Sequence, residues 1–69
     1  MSGEKLRNTL KVHRAMRDWT QAQLAEHAGV TRKSINAIER GRFVPSTVLA
    51  LKLAALFEVS VETLFQLPE

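Results

Sequence analysis

Arg32, Lys33, Asn36, Ala37 and Arg40 fall on one side of a short stretch in which Ile35 and Ile38 occupy the other. Guanidinium, ammonium and carboxamide groups on a common face donate hydrogen bonds and carry positive charge, so the chemistry they offer is recognition of an anionic partner rich in acceptors. Bond-making chemistry has no comparable constellation. The chain has no cysteine, hence no disulfide and no thiolate nucleophile or metal ligand. His13 and His27 are its only histidines, too few for a zinc site without help from carboxylates. Glu26, Glu39, Glu58 and Glu62 belong to separate predicted elements, where they read as solvated or structural carboxylates, and there is no glycine-rich phosphate loop. The expectation is a binding protein with no catalytic residues, no metal and no cofactor.

Two short helices must position that face. Thr20 can accept the backbone N–H of Gln23 while the Gln23 side chain reaches back to Thr20, a capping box that marks a helix start. Leu24, Ala25 and Ala28 then recur at helical spacing, and Gly29 supplies the left-handed residue that ends the helix. Val30 plugs the turn, Thr31 caps the next helix, and Gly41 stops it. A helix, a tight turn with one glycine and a second helix with a polar, basic outer face follow helix-turn-helix grammar, here over about 20–41.

The string WTQAQLAEHAGVTRKSINAIERGRFVPS resembles the Cro/CI-type, or XRE, family of DNA-binding domains. Thr-Gln opens the second helix and Leu-Ala lies within it. Gly-Val-Thr forms the turn, Ser-Ile and Ile-Glu lie in the third helix, and Gly is followed shortly by Pro-Ser. The resemblance spans about the whole chain, and so many spaced features together are more specific than one short motif. It implies an all-α, compact five-helix, lambda-repressor-like fold, with 1–69 as a single domain. It also implies that Arg32, Lys33 and Ala37 contact bases. Arg or Lys can donate to guanine O6 and N7, and a small apolar side chain can lie against a thymine methyl. Ser34, Asn36, Gln21 and Gln23 suit phosphate or sugar, Gln21 as a clamp rather than a reader, and Arg40 and Arg42 suit phosphate. Relatives pair the arginine at position 14 with the glutamate at position 39, so Arg14 and Glu39 are expected to form a structural ion pair that also orients Arg14 toward the DNA backbone.

The remaining sequence agrees with this division. Net charge is +3, and residues 1–45 hold nine Lys/Arg against four Asp/Glu, whereas residues 46–69 hold one against three. A polyanion on one side and protein on the other is the reading of that asymmetry. Residues 1–5 show no periodicity and read as a loose arm, with Lys5 and Arg7 available to phosphates. A first helix is expected from Leu6 or Asn8 to Arg17, with Leu6, Leu10 and His13 on one face, Met16 on an adjacent line and Asn8 as its cap. His13 stands where relatives place a large aliphatic residue and reads as a partly buried histidine with a local hydrogen bond. Asp18 replaces a common glycine. Trp19 reads as core packing rather than as a base-stacking group, and Phe43 is expected to pack beneath the loop after the third helix.

From Ser46 a helix is expected to about Phe57, and from Ser60 another to about Phe65. Ala50, Leu53, Ala54 and Phe57 form a core stripe, yet the first of these helices is apolar almost all round. Val48, Leu51, Ala55, Leu64, Phe65 and Leu67 are therefore expected to form a homodimer interface within 46–69, the alternative being a monomeric core that absorbs them. The functional expectation is a sequence-specific regulator of transcription that binds double-stranded DNA. It would be a homodimeric repressor reading a near-palindromic operator, with an antitoxin or other module bound to a protein partner as the second reading. No apolar run approaches ~18 residues and no signal-peptide pattern opens the chain, so the expected location is cytoplasmic, on the nucleoid when DNA is bound.

Overall fold

The computed structural model describes residues 6–68. The arm expected at 1–5, including Lys5, lies outside the described residues. In chain order the elements are β1 (Arg7–Asn8), α1 (Leu10–Met16), α2 (Gln21–Ala28), α3 (Arg32–Glu39), α4 (Thr47–Phe57), α5 (Val61–Leu64) and β2 (Phe65–Gln66). Five helices are present among the described residues, as the sequence implies. The two-residue strands pair antiparallel, Arg7 opposite Gln66 and Asn8 opposite Phe65, and join the two ends of the described chain.

Local chemistry accounts for the helix starts. The Thr20 hydroxyl accepts from the Gln23 amide at 3.0 Å and Gln23 Oε1 accepts from the Thr20 amide at 2.8 Å, closing the capping box. Thr31, Ser46 and Ser60 each accept from the backbone N–H three residues on, at 3.1, 3.1 and 3.2 Å. Each cap satisfies an N–H that has no partner within its helix.

α1 is shorter than the sequence periodicity implies. Arg7 and Asn8 find their partners in β2 rather than in a helical turn. Asn8 still serves the helix start, because its Oδ1 accepts from the Leu10 amide at 3.1 Å, while its Nδ2 donates to the Ile38 carbonyl at 2.9 Å. Thr9 ties the same corner to α5 through its amide, to the Leu64 carbonyl, and through its hydroxyl, to the Thr63 carbonyl. His13 is half-buried with Nδ1 3.0 Å from the Thr9 carbonyl. Met16, expected near the apolar face, is 74% exposed.

Leu10, Leu24, Ile35, Ile38, Leu53 and Leu64 are fully buried and draw every helix into one core. Trp19 lies half-buried at its edge, stacked on His27 at 4.4 Å and tilted against Phe57 at 5.6 Å, consistent with packing rather than base stacking. Three expectations for large apolar residues need correction. Leu64 and Phe65, expected at a dimer interface, are 0% and 7% exposed, because the β1–β2 pairing and the Thr9 bonds fold the last segment onto its own core. Phe43, expected beneath its loop, is 47% exposed.

Two helix ends place side chains in the left-handed region that glycine occupies without strain: Asp18 and Glu58, both at φ 57°. Gly29 occupies it at φ 73°. Asp18→Gly is expected to be stabilising by about 0.5–1 kcal/mol, and Gly29→Ala destabilising by about 1 kcal/mol, since the Cβ penalty is relieved in one and imposed in the other. Urea unfolding followed by circular dichroism checks both signs.

Candidate nucleic-acid interface

The outer face of α3 begins with Arg32 and Lys33, both exposed, continues through half-buried Ser34, Asn36 and Ala37, and ends at exposed Arg40, with exposed Arg42 just beyond. What holds that face in place lies behind it. The Glu39 carboxylate accepts from Arg14 Nε at 2.7 Å, from Arg14 Nη2 at 3.2 Å and from Gln21 Nε2 at 3.0 Å. Arg14 Nη1 donates to the Trp19 carbonyl at 2.9 Å. One carboxylate thereby ties α3 to α1 and α2, and its side chain is only 6% exposed, against 15% for Arg14.

The same contacts settle which way Gln21 faces. An ionised carboxylate only accepts, so the Gln21 NH₂ must point at Glu39 and its Oε1 must point away. That oxygen meets two donors of α3, Asn36 Nδ2 at 3.3 Å and Arg32 Nη1 at 3.4 Å. Gln21 therefore relays the buried ion pair to the first turn of α3. Arg32 leans on it by one long contact at a single Nη, which steadies the guanidinium without using up its five donors. Sequence reading placed Gln21 in the site but did not find this relay; the only trace of it is a carboxamide opening α2 eleven positions before an arginine opening α3.

The other expected contact residues divide by how far they are already engaged. Arg14 and Glu39 form the expected pair, and Arg14 serves to position the site with most of its donors turned inward. The Gln23 carbonyl oxygen is held in the capping box. Ser34 shares its hydroxyl with Thr31 at 3.0 Å. Lys33, Arg40 and Arg42 stand in solvent. Among the described residues every buried side-chain nitrogen and oxygen has a hydrogen-bond partner.

The apolar residues of α4 and the C-terminal segment lie apart from this face. Val48, Leu51 and Leu67 are 68%, 56% and 80% exposed, and Ala55 is exposed. Leu51 and Leu67 border one groove of about 340 Å³ together with Leu6, Pro45, Ala50 and Phe65. Ala55 borders a different hollow, with His27, Lys52 and Leu56. No helix of the described residues is long and apolar enough to cross a membrane.

A basic helix held outward across a second helix by a buried polar network is the arrangement of a DNA-binding helix-turn-helix. The family described as helix-turn-helix matches residues 10–64, and the chain belongs to this XRE-type family of transcriptional regulators, which are DNA-binding proteins rather than enzymes. An HTH-type transcriptional regulator of Methanocaldococcus jannaschii is 45% identical over 60 residues, covering 87% of this chain and 91% of that protein. Another, from Bacillus subtilis, is 42% identical over 64 residues, covering 93% and 97%. The crystal structure of the restriction-modification controller protein C.AhdI from Aeromonas hydrophila superposes with a TM-score of 0.71 at 30% identity, covering 78% of each chain.

Because Glu39 is the more buried partner, Arg14→Met should be destabilising by about 2–3 kcal/mol, toward the lower end of what a stranded buried charge costs. Arg14→Met combined with Glu39→Met should cost less than the sum of the two single changes by about 1 kcal/mol or more. Chemical denaturation of the four proteins measures this; additive losses would show that the two side chains are not coupled.

Proposed function

We propose that the protein is a cytoplasmic, homodimeric repressor that reads a near-palindromic operator through the major groove. The observation that carries this reading is the exposed Arg32 and Lys33 at the first turn of an α3 fixed from behind by Glu39 and Gln21. A helix in the major groove presents its first turn to base edges. Arg32 and Lys33 donate to guanine, and Ala37 lies against a thymine methyl. Asn36, Ser34, Arg40 and Arg42 bind phosphate or sugar. Gln21, Gln23 and Arg14 complete the backbone-facing set mainly by holding the others in register, and the N-terminus of α2 adds its unpaired amides.

One α3 reads only a few base pairs, so selectivity requires two. The exposed apolar side chains Val48, Leu51 and Leu67, with Ala55 further along α4, supply the surface for pairing, on a part of the chain whose only Lys or Arg is Lys52. Two recognition helices set roughly 34 Å apart meet successive major-groove faces of an inverted repeat.

Selection from a random duplex library near physiological salt should enrich an inverted repeat with half-site centres about one helical turn apart. Arg32→Ala should lose about 1–3 kcal/mol on that sequence and little on others, whereas Arg42→Ala should weaken all duplexes alike and flatten the salt slope by about one unit. Salt-sensitive binding without enrichment would overturn sequence-specific reading. In sedimentation equilibrium the wild type should form a dimer that Leu51→Glu dissociates. A wild-type mass that stays monomeric at all concentrations would overturn the homodimer, and co-purification of an unrelated small chain would assign the apolar surface to that partner.

A further inference from the structure

We infer that Phe43 is a specificity-determining residue that closes one side of a notch for the 5-methyl group of a thymine. The inference rests on the DNA-reading role proposed for α3 and adds to it a residue outside that helix.

Phe43 follows α3 by four positions, and the loop between them doubles back. Gly41 adopts φ 74°, and the Arg42 amide donates to the Ala37 carbonyl at 2.9 Å. The phenyl ring, 47% exposed, consequently stands beside the recognition helix instead of entering the core. With Thr31, Lys33, Ser34 and Ala37 it lines an open notch of about 210 Å³. Three of those residues belong to the cap and first turn of α3, the part that meets base edges in the major groove.

The chemistry of the lining selects the occupant. The Thr31 hydroxyl accepts from the Ser34 amide at 3.1 Å and lies 3.0 Å from the Ser34 hydroxyl, so the helix cap engages most of the polar capacity of these two side chains and leaves one hydroxyl proton for phosphate or sugar at the rim. The rest of the lining is the Ala37 methyl, the Phe43 ring and Lys33, a side chain that carries a long alkyl stem below its ammonium. Ala37 and Phe43 offer a base edge no hydrogen bond. The one apolar group that a base pair presents in the major groove is the thymine C5-methyl. The Lys33 ammonium, free to reach a neighbouring guanine or phosphate, sets that methyl beside a polar contact. An exposed aromatic ring on a protein that binds a polyanion is thereby accounted for without a second ligand.

The test compares wild type, Phe43→Ala and Phe43→Leu on the selected duplex with each thymine replaced in turn by deoxyuridine, which removes only the methyl group. A randomised duplex pool synthesised with thymidine or with deoxyuridine serves if no sequence dominates. Wild type should lose about three- to fourfold in affinity at one thymine of each half-site, the value expected for one buried methyl group. Phe43→Ala should bind the two duplexes nearly alike, and Phe43→Leu, which keeps an apolar wall, should retain part of the discrimination. Melting curves of the half-exposed variants verify that they are folded. Equal thymine-to-uracil losses in wild type and Phe43→Ala, with duplex binding intact, would overturn the role of Phe43 and leave the DNA-reading proposal standing. Absence of duplex binding by folded wild type would overturn both.

Discussion

The Glu39 carboxylate is the constraint on which the rest of the binding face depends. It is almost wholly removed from solvent, so its charge must be compensated where it lies, and Arg14 and Gln21 compensate it from two other helices. Such a pair does little for net stability, because desolvation offsets much of the attraction. What it confers is geometry. A guanidinium fork on a carboxylate admits few relative placements of α1 and α3, and the carboxamide of Gln21 leaves α2 little freedom to slide between them.

The core sets a second, less directional constraint. Leu24 of α2, Ile35 and Ile38 of α3, and Leu53 of α4 are buried together, and this burial supplies the drive to pack without specifying rotation about a helix axis. Rotation is fixed where polar groups must meet. Asn8 donates to the Ile38 carbonyl near the end of α3, and Gln21 takes the Asn36 and Arg32 donors nearer its start. α3 is thus pinned at both ends and in its middle, and its exposed side chains project from a fixed cylinder. A base contact requires that, since a donor displaced by an ångström no longer meets its acceptor.

Much of this was legible in the sequence because it is written in local, short-range chemistry. The capping box at Thr20 and Gln23, the caps at Thr31, Ser46 and Ser60, and the glycine stop at position 29 are contained within a few residues each, and all occur where the sequence places them. The Arg14–Glu39 pair was legible only through family resemblance, since the two residues lie 25 positions apart and no periodicity links them. Features that depend on where distant segments meet left no readable pattern. The pairing of Arg7–Asn8 with Phe65–Gln66 is two residues long, below the length at which alternation can be read. For the same reason Leu64 and Phe65 looked like surplus apolar surface, whereas the fold gives them a place in its own core. The exposure of Phe43 follows from a loop path set by Gly41 and the Arg42 amide, which composition does not encode.

The two faces of the molecule answer to different physics, and this separates their tasks. Arg40 and Arg42 are exposed charges, whose attraction to phosphates is long in reach but screened within about 8 Å at physiological ionic strength. Such charges raise affinity for any duplex and cannot by themselves distinguish one from another. Distinction requires donors whose positions are set before the DNA arrives, and Arg32 meets that requirement through a relay whose far end is a buried ion pair. The relay is complete within one chain, and in the proposed homodimer the spacing between two such faces is left to the separate surface that carries Val48, Leu51 and Leu67. On the proposed reading, recognition and spacing would vary independently: a substitution on α3 would alter which bases are preferred, and one on the exposed side of α4 would alter how far apart those bases lie.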